Sequence, residues 1–504
     1  MNFINTNFFR QTLLADSYKM THHKMFPEGT SHTYYYEESR GGHQFDETLF
    51  FGLQYFAKVL AGEIVTKEKI AYLEKFSSQH FGQDVFNKAG WEHILTKHKG
   101  RLPLSIKALP EGMLVPKHRV LFTVENTDPD CFWLPGYVET FLSQIWYPIT
   151  IATLAYNIHK LIRSLREATG VGTEGSEFQL HNFAYRGVSS AETAGIGGSA
   201  ALLFSKGTDT TIAIPFTQEV YNTDEMLGFS VVATEHSPTT AHGKDHEQDF
   251  YEKMIDKFPT GILSVVVDSY DVFNALKNLL GKNLKEKILA RDGVFVFRLD
   301  SGYPPEMVSI AVTILGGIFG YTTNAHGYNT LHPKIRVLQG DGVDYEMIQT
   351  ILKTMKDHRW AADNIVFGMG GALLQKVNRD THKFAYKCSA VCVDGEWRDV
   401  FKDPVTDPGK TSKKGRFAVV NEGGIIKTVP YCEAERLEAM GVLMELKPLN
   451  SDLLQEVFRD GRLTKEYTFQ EIRTLANHLQ KHPNLTKPSL GFDLPKVHTP
   501  IQAS

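Results

Sequence analysis

One histidine and a spaced series of carboxylates are the residues whose types and positions suit chemistry. His236 stands where the apolar run Phe229 to Ala233 gives way to Ser237-Pro238-Thr239-Thr240. An imidazole can serve as nucleophile, base or ligand near neutral pH. The hydroxyls and early proline predict a helix start, so His236 is expected at the carboxyl edge of a short buried strand, facing a helix N-terminus. In α/β sheets and barrels that edge is where ligands bind. Taken singly, His236 reads first as a surface-loop histidine.

The same pattern recurs along the chain. Leu263 to Val267 ends in Asp268-Ser269-Tyr270-Asp271, Val294 to Leu299 in Asp300-Ser301-Gly302, and Ile335 to Leu338 in Gln339-Gly340-Asp341-Gly342. Ile365-Val366-Phe367 then runs into Gly368-Met369-Gly370-Gly371 and a helix start at Ala372. From His236 through Asp268, Asp300 and Asp341 to Gly370 the steps are 32, 32, 41 and 29 residues. A βα unit takes roughly 30 residues, so the series predicts successive units of one parallel sheet. A single acidic strand end is usually a turn or a cap; several in register would gather carboxylates and glycine turns on one rim.

Other elements must carry and flank this sheet. A helix is predicted within Phe8 to Leu14, with Asp16 or Ser17 capping a second, and another helix from Thr66 to Phe81. Strand-like runs occupy Ser31 onward, Ser105 to Ala108, His118 to Val124 and Phe384 to Val393. From Pro129 to Arg166 helical periodicity dominates, and Trp133, Tyr137, Phe141 and Trp146 read as a core stripe. Five cations between Lys402 and Arg416, punctuated by proline and glycine, predict a mobile basic loop.

Composition narrows the function classes. The 504 residues allow two or more domains, and 42% hydrophobic with 22% charged residues is ordinary for a globular chain. A net charge of −4 argues against nucleic acid or a membrane surface as partner, so any bound anion must be gripped locally. No secretory signal is evident and no apolar stretch reaches spanning length, which predicts a cytoplasmic protein. Four scattered cysteines exclude a disulfide framework, and Cys388 with Cys392 lacks the second pair of a zinc site.

Several segments, in order, resemble the nicotinamide phosphoribosyltransferase family. They are DSYK-x-TH, YRGVSS, KGTDT, EHS followed by GKDHE, DSYD, DSG, QGDGVD, FG-x-GG-x-LLQK, and KDPVTDPGK with SKKGR. The resemblance runs from about residue 10 to residue 475. It implies a type II phosphoribosyltransferase fold: an irregular α/β barrel with a second β-rich domain built from both chain ends. The expected division is residues 1–30 and 126–383 for the barrel-like catalytic domain, 31–125 and 384–480 for the β-rich domain, and a loosely ordered tail at 481–504.

The resemblance also implies a reaction and roles. Ribose 5-phosphate would pass from phosphoribosyl pyrophosphate to nicotinamide, giving the mononucleotide and pyrophosphate, with Mg²⁺ as cofactor and ATP as co-substrate in a homodimer whose active sites lie at the interface. Phe183 and Tyr18 of the partner chain would sandwich the base, with Arg186 nearby. Asp209 would accept the carboxamide N–H and repel the carboxylate of nicotinate. Ser264 falls among the substrate-binding positions, and Asp268, Arg298 and Asp300 match residues that handle the ribose and its Mg²⁺. Gly340, Asp341, Gly370 and Gly371 match the 5-phosphate cradle. Arg40, Arg379, Lys387, Lys402 and Lys410 correspond to cations that meet pyrophosphate or ATP phosphates. His236 corresponds to a histidine that ATP phosphorylates.

Five features depart from that pattern: Asn182 for an aspartate, Leu299 for a proline, Ala385 for a serine, His242 for a tryptophan, and a short loop around Gly41 to Glu47. Two other readings compete. Nicotinate phosphoribosyltransferase shares the fold and the histidine chemistry. A metal-dependent hydrolase would use His236, His242 and His246, the last two placed four apart as if on one helix face.

Overall fold

A computed structural model describes residues 1–42, 44–406, 410–422, 424–431 and 452–481. The described chain divides into two compact units, one formed by Met1–Phe3, Ile145–Thr381 and Tyr467–Arg473 and the other by the rest.

The first unit is built on seven parallel strands: β1 (Leu180–Asn182), β2 (Gly207–Thr208), β3 (Val232–Ala233), β4 (Leu263–Val266), β5 (Phe295–Leu299), β6 (Ile335–Gln339) and β7 (Ile365–Met369). Their order across the sheet is β2-β1-β7-β6-β5-β4-β3. Phe229, just before β3, also pairs in parallel with Gly207 of β2, so one segment touches both edges and draws the sheet toward a closed barrel. The central strands read as apolar runs because both faces are covered: Phe295, Phe297 and Leu299 of β5 and Leu263, Val265 and Val266 of β4 are all buried.

The crossover helices begin and end on recognisable signals. Pro304–Phe319 opens on two prolines and stops at Gly320, whose φ of 90° suits a residue without a Cβ. Its Val308, Ala311, Val312, Leu315 and Phe319 make one buried stripe. Tyr345–Asp357 is capped by Asp344, whose side chain accepts from the Met347 N–H at 3.0 Å. Since all seven strands run the same way, the residues following each one reach the same rim.

One expectation about this sheet fails. The run Phe229 to Ala233 is not a buried strand: β3 keeps only two residues, Phe229 is 48% exposed and Val232 is 42% exposed. Apolar character there marks an open rim, not core.

The second unit carries a seven-stranded antiparallel sheet, in order Glu396–Asp399, Phe384–Val393, Thr30–Ser39, Val120–Asn126, Leu104–Ala108, Gln455–Arg459 and Arg462–Leu463. Both ends of the chain contribute, as expected for the β-rich domain. The boundary differs from the expected one, because residues 4–30 and 126–144 belong here and not with the barrel. Their polar groups are the reason. Arg10 donates to the Val59 carbonyl at 2.8 Å, Asn7 to the Tyr55 hydroxyl at 3.0 Å, and the Tyr137 hydroxyl to the Leu13 carbonyl at 2.6 Å. The expected tail lies outside the described residues from 482 onward. No helix among the described residues is long and apolar enough to cross a membrane.

Candidate functional site

The rim of the parallel sheet brings three sequence-predicted residues together. His236 is the first residue of the helix His236–Ala241, entered from β3, so it stands at the helix start instead of facing one. The expected capping hydroxyls turn back on the helix: Thr239 and Thr240 donate to the carbonyls of Glu235 and His236, each at 2.8 Å. The two ring nitrogens of His236 meet different carboxylates, Nε2 lying 3.2 Å from Asp268 Oδ1 and Nδ1 3.9 Å from Asp300 Oδ2. The imidazole is 44% exposed, while the Asp268 side chain is 5% exposed and that of Asp300 17%. The histidine is thus open to a reactant and its carboxylates are not.

Those carboxylates are held by the chain itself. Asp268 Oδ2 accepts from the Asp300 N–H at 3.1 Å and from the Ser301 hydroxyl at 2.5 Å. Asp300 receives Arg298 on both oxygens, at 3.2 and 3.0 Å. The guanidinium of Arg298 lies 5.5 Å from the centre of the Phe183 ring, linking the carboxylate cluster to an aromatic platform. Gly340 makes this possible: a Cβ there would lie 2.5 Å from Asp300 Oδ1 and 3.0 Å from Arg298 Nε. Gly368 does the same for Phe183, whose ring edge would come within 2.1 Å of a Cβ.

Around Phe183 a second set of polar groups is fixed by Asn182. Its side-chain oxygen accepts from the Ala184 N–H at 3.0 Å and the Thr210 hydroxyl at 2.9 Å, and its carbonyl accepts from the Asp209 N–H at 3.0 Å. Asn182 thereby sets the ring on one side and the carboxylate of Asp209 on the other. Asp209 is exposed and accepts a hydrogen bond from the Ser230 hydroxyl. Beneath Gly207, His181 is buried, and burial pulls its pKa below the ordinary histidine value despite the opposing pull of Asp209. Behind β4 the Tyr251 hydroxyl donates to Glu247 at 2.8 Å. Burial pushes both the Glu247 carboxyl and the Tyr251 phenol upward.

The remaining expected residues divide by unit. Ser264, in β4, is buried, and its hydroxyl has no hydrogen-bond partner among the described residues. Gly340 and Asp341 follow β6; Gly370 and Gly371 follow β7, and among the described residues a Cβ at Gly370 would meet nothing within 4 Å, so that position borders open space whereas Gly340 does not. Arg186 and Arg379 lie on exposed 3-10 turns of the same unit.

Tyr18, Arg40, Lys387, Lys402 and Lys410 belong to the other unit. There Tyr18 is 55% exposed. Arg40 pairs with Glu38 at 2.9 Å, Lys387 donates to the Tyr386 carbonyl at 2.9 Å, and Lys402 and Lys410 are exposed. The expected mobile basic loop is tied down in part: Lys402 and Ser412 bond across its base at 3.0 Å, Lys413 pairs with Glu38, and Arg416 packs 4.6 Å from the Trp397 ring. Residues 407–409 lie outside the described chain.

Sequence reasoning missed Ser230, Ser301 as a support for Asp268, and the Tyr251–Glu247 pair. Ser230 follows Phe229 in a run that reads as buried, which hid its position beside Asp209. The hydrolase reading fails on geometry. The helix ends at Ala241, Gly243 takes a φ of 85°, and His246 bonds Asp249 at 2.8 Å, so His242 and His246 share no helix face. Among the described residues these three histidines form no metal-ligating group.

Magnesium fits the rim in a limited way. Asp268 and Asp300 offer hard oxygens, but protein donors already occupy them, so Mg²⁺ would be held mainly through substrate phosphates and its own waters.

Comparison with known proteins agrees with this architecture. The profile of the nicotinate phosphoribosyltransferase (NAPRTase) family matches residues 178–462, and that of the nicotinamide phosphoribosyltransferase N-terminal domain matches residues 11–106. A nicotinamide phosphoribosyltransferase of Xanthomonas campestris pv. campestris is 41% identical over 468 residues, covering 92% of this chain and 97% of its own. Its counterpart from Acinetobacter baylyi is 33% identical over 502 residues, with coverage of 92% and 97%. Among solved structures, nicotinate-nucleotide pyrophosphorylase from Pyrococcus furiosus superposes with a TM-score of 0.57 at 16% identity, covering 95% of this chain and 97% of its own. Human nicotinic acid phosphoribosyltransferase gives 0.52 at 15% identity, with coverage of 92% and 93%. These two share the fold.

Proposed function

The chain belongs to the nicotinamide phosphoribosyltransferases within the nicotinate phosphoribosyltransferase family, and on that premise we propose how its own residues serve the reaction. The enzyme makes nicotinamide mononucleotide and pyrophosphate from nicotinamide and phosphoribosyl pyrophosphate in NAD salvage. The observation that carries the residue assignment is the pairing of an aromatic platform with a carboxylate, Phe183 and Asp209, both fixed through Asn182.

Phe183 orients the pyridine ring, and Arg298 on its far side links that ring to the carboxylate rim. Asp209, presenting one oxygen beyond its bond to Ser230, accepts the carboxamide N–H of nicotinamide. A carboxylate on the base would meet like charge there, a juxtaposition that costs several kcal/mol. Holding the ring nitrogen over the anomeric carbon of the ribose supplies most of the catalysis, because the oxocarbenium-like transition state needs position more than a covalent partner. Glycines 340, 370 and 371 admit the 5-phosphate to main-chain N–H groups.

His236 is the acceptor of the ATP γ-phosphoryl group in this reading. Asp268 Oδ1, 3.2 Å from Nε2, accepts a hydrogen bond from the N–H at that nitrogen and leaves the lone pair on Nδ1. Attack by Nδ1 forms the phosphorus–nitrogen bond as ADP departs. When bound, Mg²⁺ offsets charge on the phosphates. Tyr18, Arg40, Arg379, Lys387, Lys402 and Lys410 meet the base and phosphates, some of them from the partner subunit of a homodimer. We place the enzyme in the cytoplasm.

The test is turnover with phosphoribosyl pyrophosphate, Mg²⁺ and either base, with and without ATP, for the wild type and Asp209→Asn. The wild type should favour the amide and respond to ATP, and the substitution should relax the choice of base. Equal use of both bases by the wild type would overturn the role given to Asp209.

A further inference from the structure

In the antiparallel unit, two histidines and an aspartate converge in a way the transferase reaction does not use. His98 Nε2 lies 2.6 Å and His93 Nε2 3.0 Å from the same oxygen, Asp128 Oδ2. His93 Nε2 also lies 3.6 Å from Asp130 Oδ2. Among the described residues this is the group whose ligand atoms all fall within 4.8 Å of one another.

The local structure builds this convergence. Residues five apart on a continuous α-helix point about 140° away from each other. Here Lys88–Lys97 ends just before His98, whose φ of −102° and ψ of 8° leave the helical values, and both imidazoles reach the one carboxylate of Asp128. Asp128 is 4% exposed and is fixed before any ligand arrives. Its Oδ1 accepts from the Asp130 N–H at 3.0 Å, and its carbonyl accepts from Asn126 at 2.8 Å. Burial alone would raise its carboxyl, but hydrogen bonds from His93, Lys97 and His98 outweigh that and hold it well below the usual carboxylate range.

The fourth donor indicates what the oxygen attracts. Lys97 Nζ also sits 2.9 Å from Asp128 Oδ2, while its side chain is 57% exposed. A cation on an exposed side chain therefore already sits against the oxygen that a metal ion would bind. Ligand atoms of a tetrahedral zinc ion stand about 3.3 Å apart. From 3.0 Å for His93 and 2.6 Å for His98, the two imidazole nitrogens thus need to open from the carboxylate oxygen by about 0.3 and 0.7 Å.

We propose that His93, His98 and Asp128 form a binding site for a divalent transition-metal ion of the zinc class, with Asp130 or water completing its coordination and Lys97 competing for it. Two imidazoles and a carboxylate suit zinc and its neighbours, whereas magnesium and calcium prefer all-oxygen sites. The ion would pin the end of the helix Lys88–Lys97 to the loop at 127–131.

The full-length chain, stripped with chelator, is titrated calorimetrically with zinc chloride alone. The wild type should take up one equivalent per chain that the His93→Ala/His98→Ala variant does not. Zinc should raise the thermal midpoint of the wild type and leave that of the variant unchanged. Lys97→Met, which removes the competing charge, should bind zinc about tenfold more tightly. Equal uptake by wild type and the double variant would show adventitious binding at other histidines and overturn the proposal. So would no uptake by the wild type, or, should the double variant fail to fold, an affinity unchanged in Lys97→Met.

Discussion

The two units each hold a histidine–aspartate constellation, and the two are wired oppositely. At the barrel rim one imidazole faces two carboxylates, one to each nitrogen, and both carboxylates are saturated by protein donors. In the antiparallel unit two imidazoles and a lysine crowd one oxygen of one carboxylate. The first arrangement gives each nitrogen of a single exposed ring its own carboxylate, the nearer one at Nε2, and suits a ring that reacts through one nitrogen. The second presents several donors to one point and suits the capture of a cation. Residue types alone do not separate these chemistries; the number of acceptors per imidazole does.

Substitutions at the rim should produce the largest effects. Asp268→Asn keeps the shape but loses the charge that selects the tautomer of His236, and ATP-dependent turnover should fall by about 10²–10⁴-fold, read against turnover without ATP. If the variant responds to ATP as the wild type does, Asp268 does not orient the histidine.

Gly340→Ala comes next. Its Cβ would strike Asp300 and Arg298, and a displacement near 1 Å should lower turnover on the order of 10²-fold. Gly370→Ala, with open space around it, should leave the thermal midpoint unchanged while raising the KM for phosphoribosyl pyrophosphate. The pair separates a glycine needed for packing from one needed for a ligand.

Asp209→Asn should shift the ratio of kcat/KM for nicotinamide over nicotinate toward unity by tenfold or more, roughly, as like-charge repulsion is removed. A ratio that does not move would assign the choice of base to another group.

The last effect, on stability instead of turnover, concerns a buried histidine. His382, in the antiparallel unit, is 1% exposed, its Nδ1 has no hydrogen-bond partner among the described residues, and burial lowers its pKa to about 4. The unfolded chain therefore binds the extra proton between the ordinary histidine value near 6.5 and about 4. Stability contributed by the neutral ring is full above that window and is lost as pH falls through it, by up to about 3 kcal/mol. His382→Phe should flatten the acid limb of a denaturant-midpoint profile between pH 6.5 and 4; an unchanged slope would remove His382 as its source.

How far the sequence reveals these sites follows from how each is assembled. The rim was legible because parallel strands buried on both faces read as apolar runs, and Asp268, Asp300, Gly340 and Gly370 each come within two residues of a strand's end. The stretch Phe229 to Ala233 misled because hydrophobicity does not distinguish a core strand from an apolar rim. The unit boundary was hidden in side-chain bonds to distant carbonyls, such as those of Arg10. His93 and His98 were invisible as a pair because helical periodicity sets them apart; the termination at Lys97 and a carboxylate 30 residues beyond His98 bring them together.

The central claim is that ATP phosphorylates His236. Intact-protein and peptide mass spectrometry after incubation with ATP and Mg²⁺, under alkaline handling that preserves a phosphorus–nitrogen bond, tests it directly. One acid-labile phosphate per chain on the peptide bearing His236, absent in His236→Ala, is the expected result. A phosphate on another residue, or ATP-stimulated turnover at the wild-type level in His236→Ala, would contradict the account.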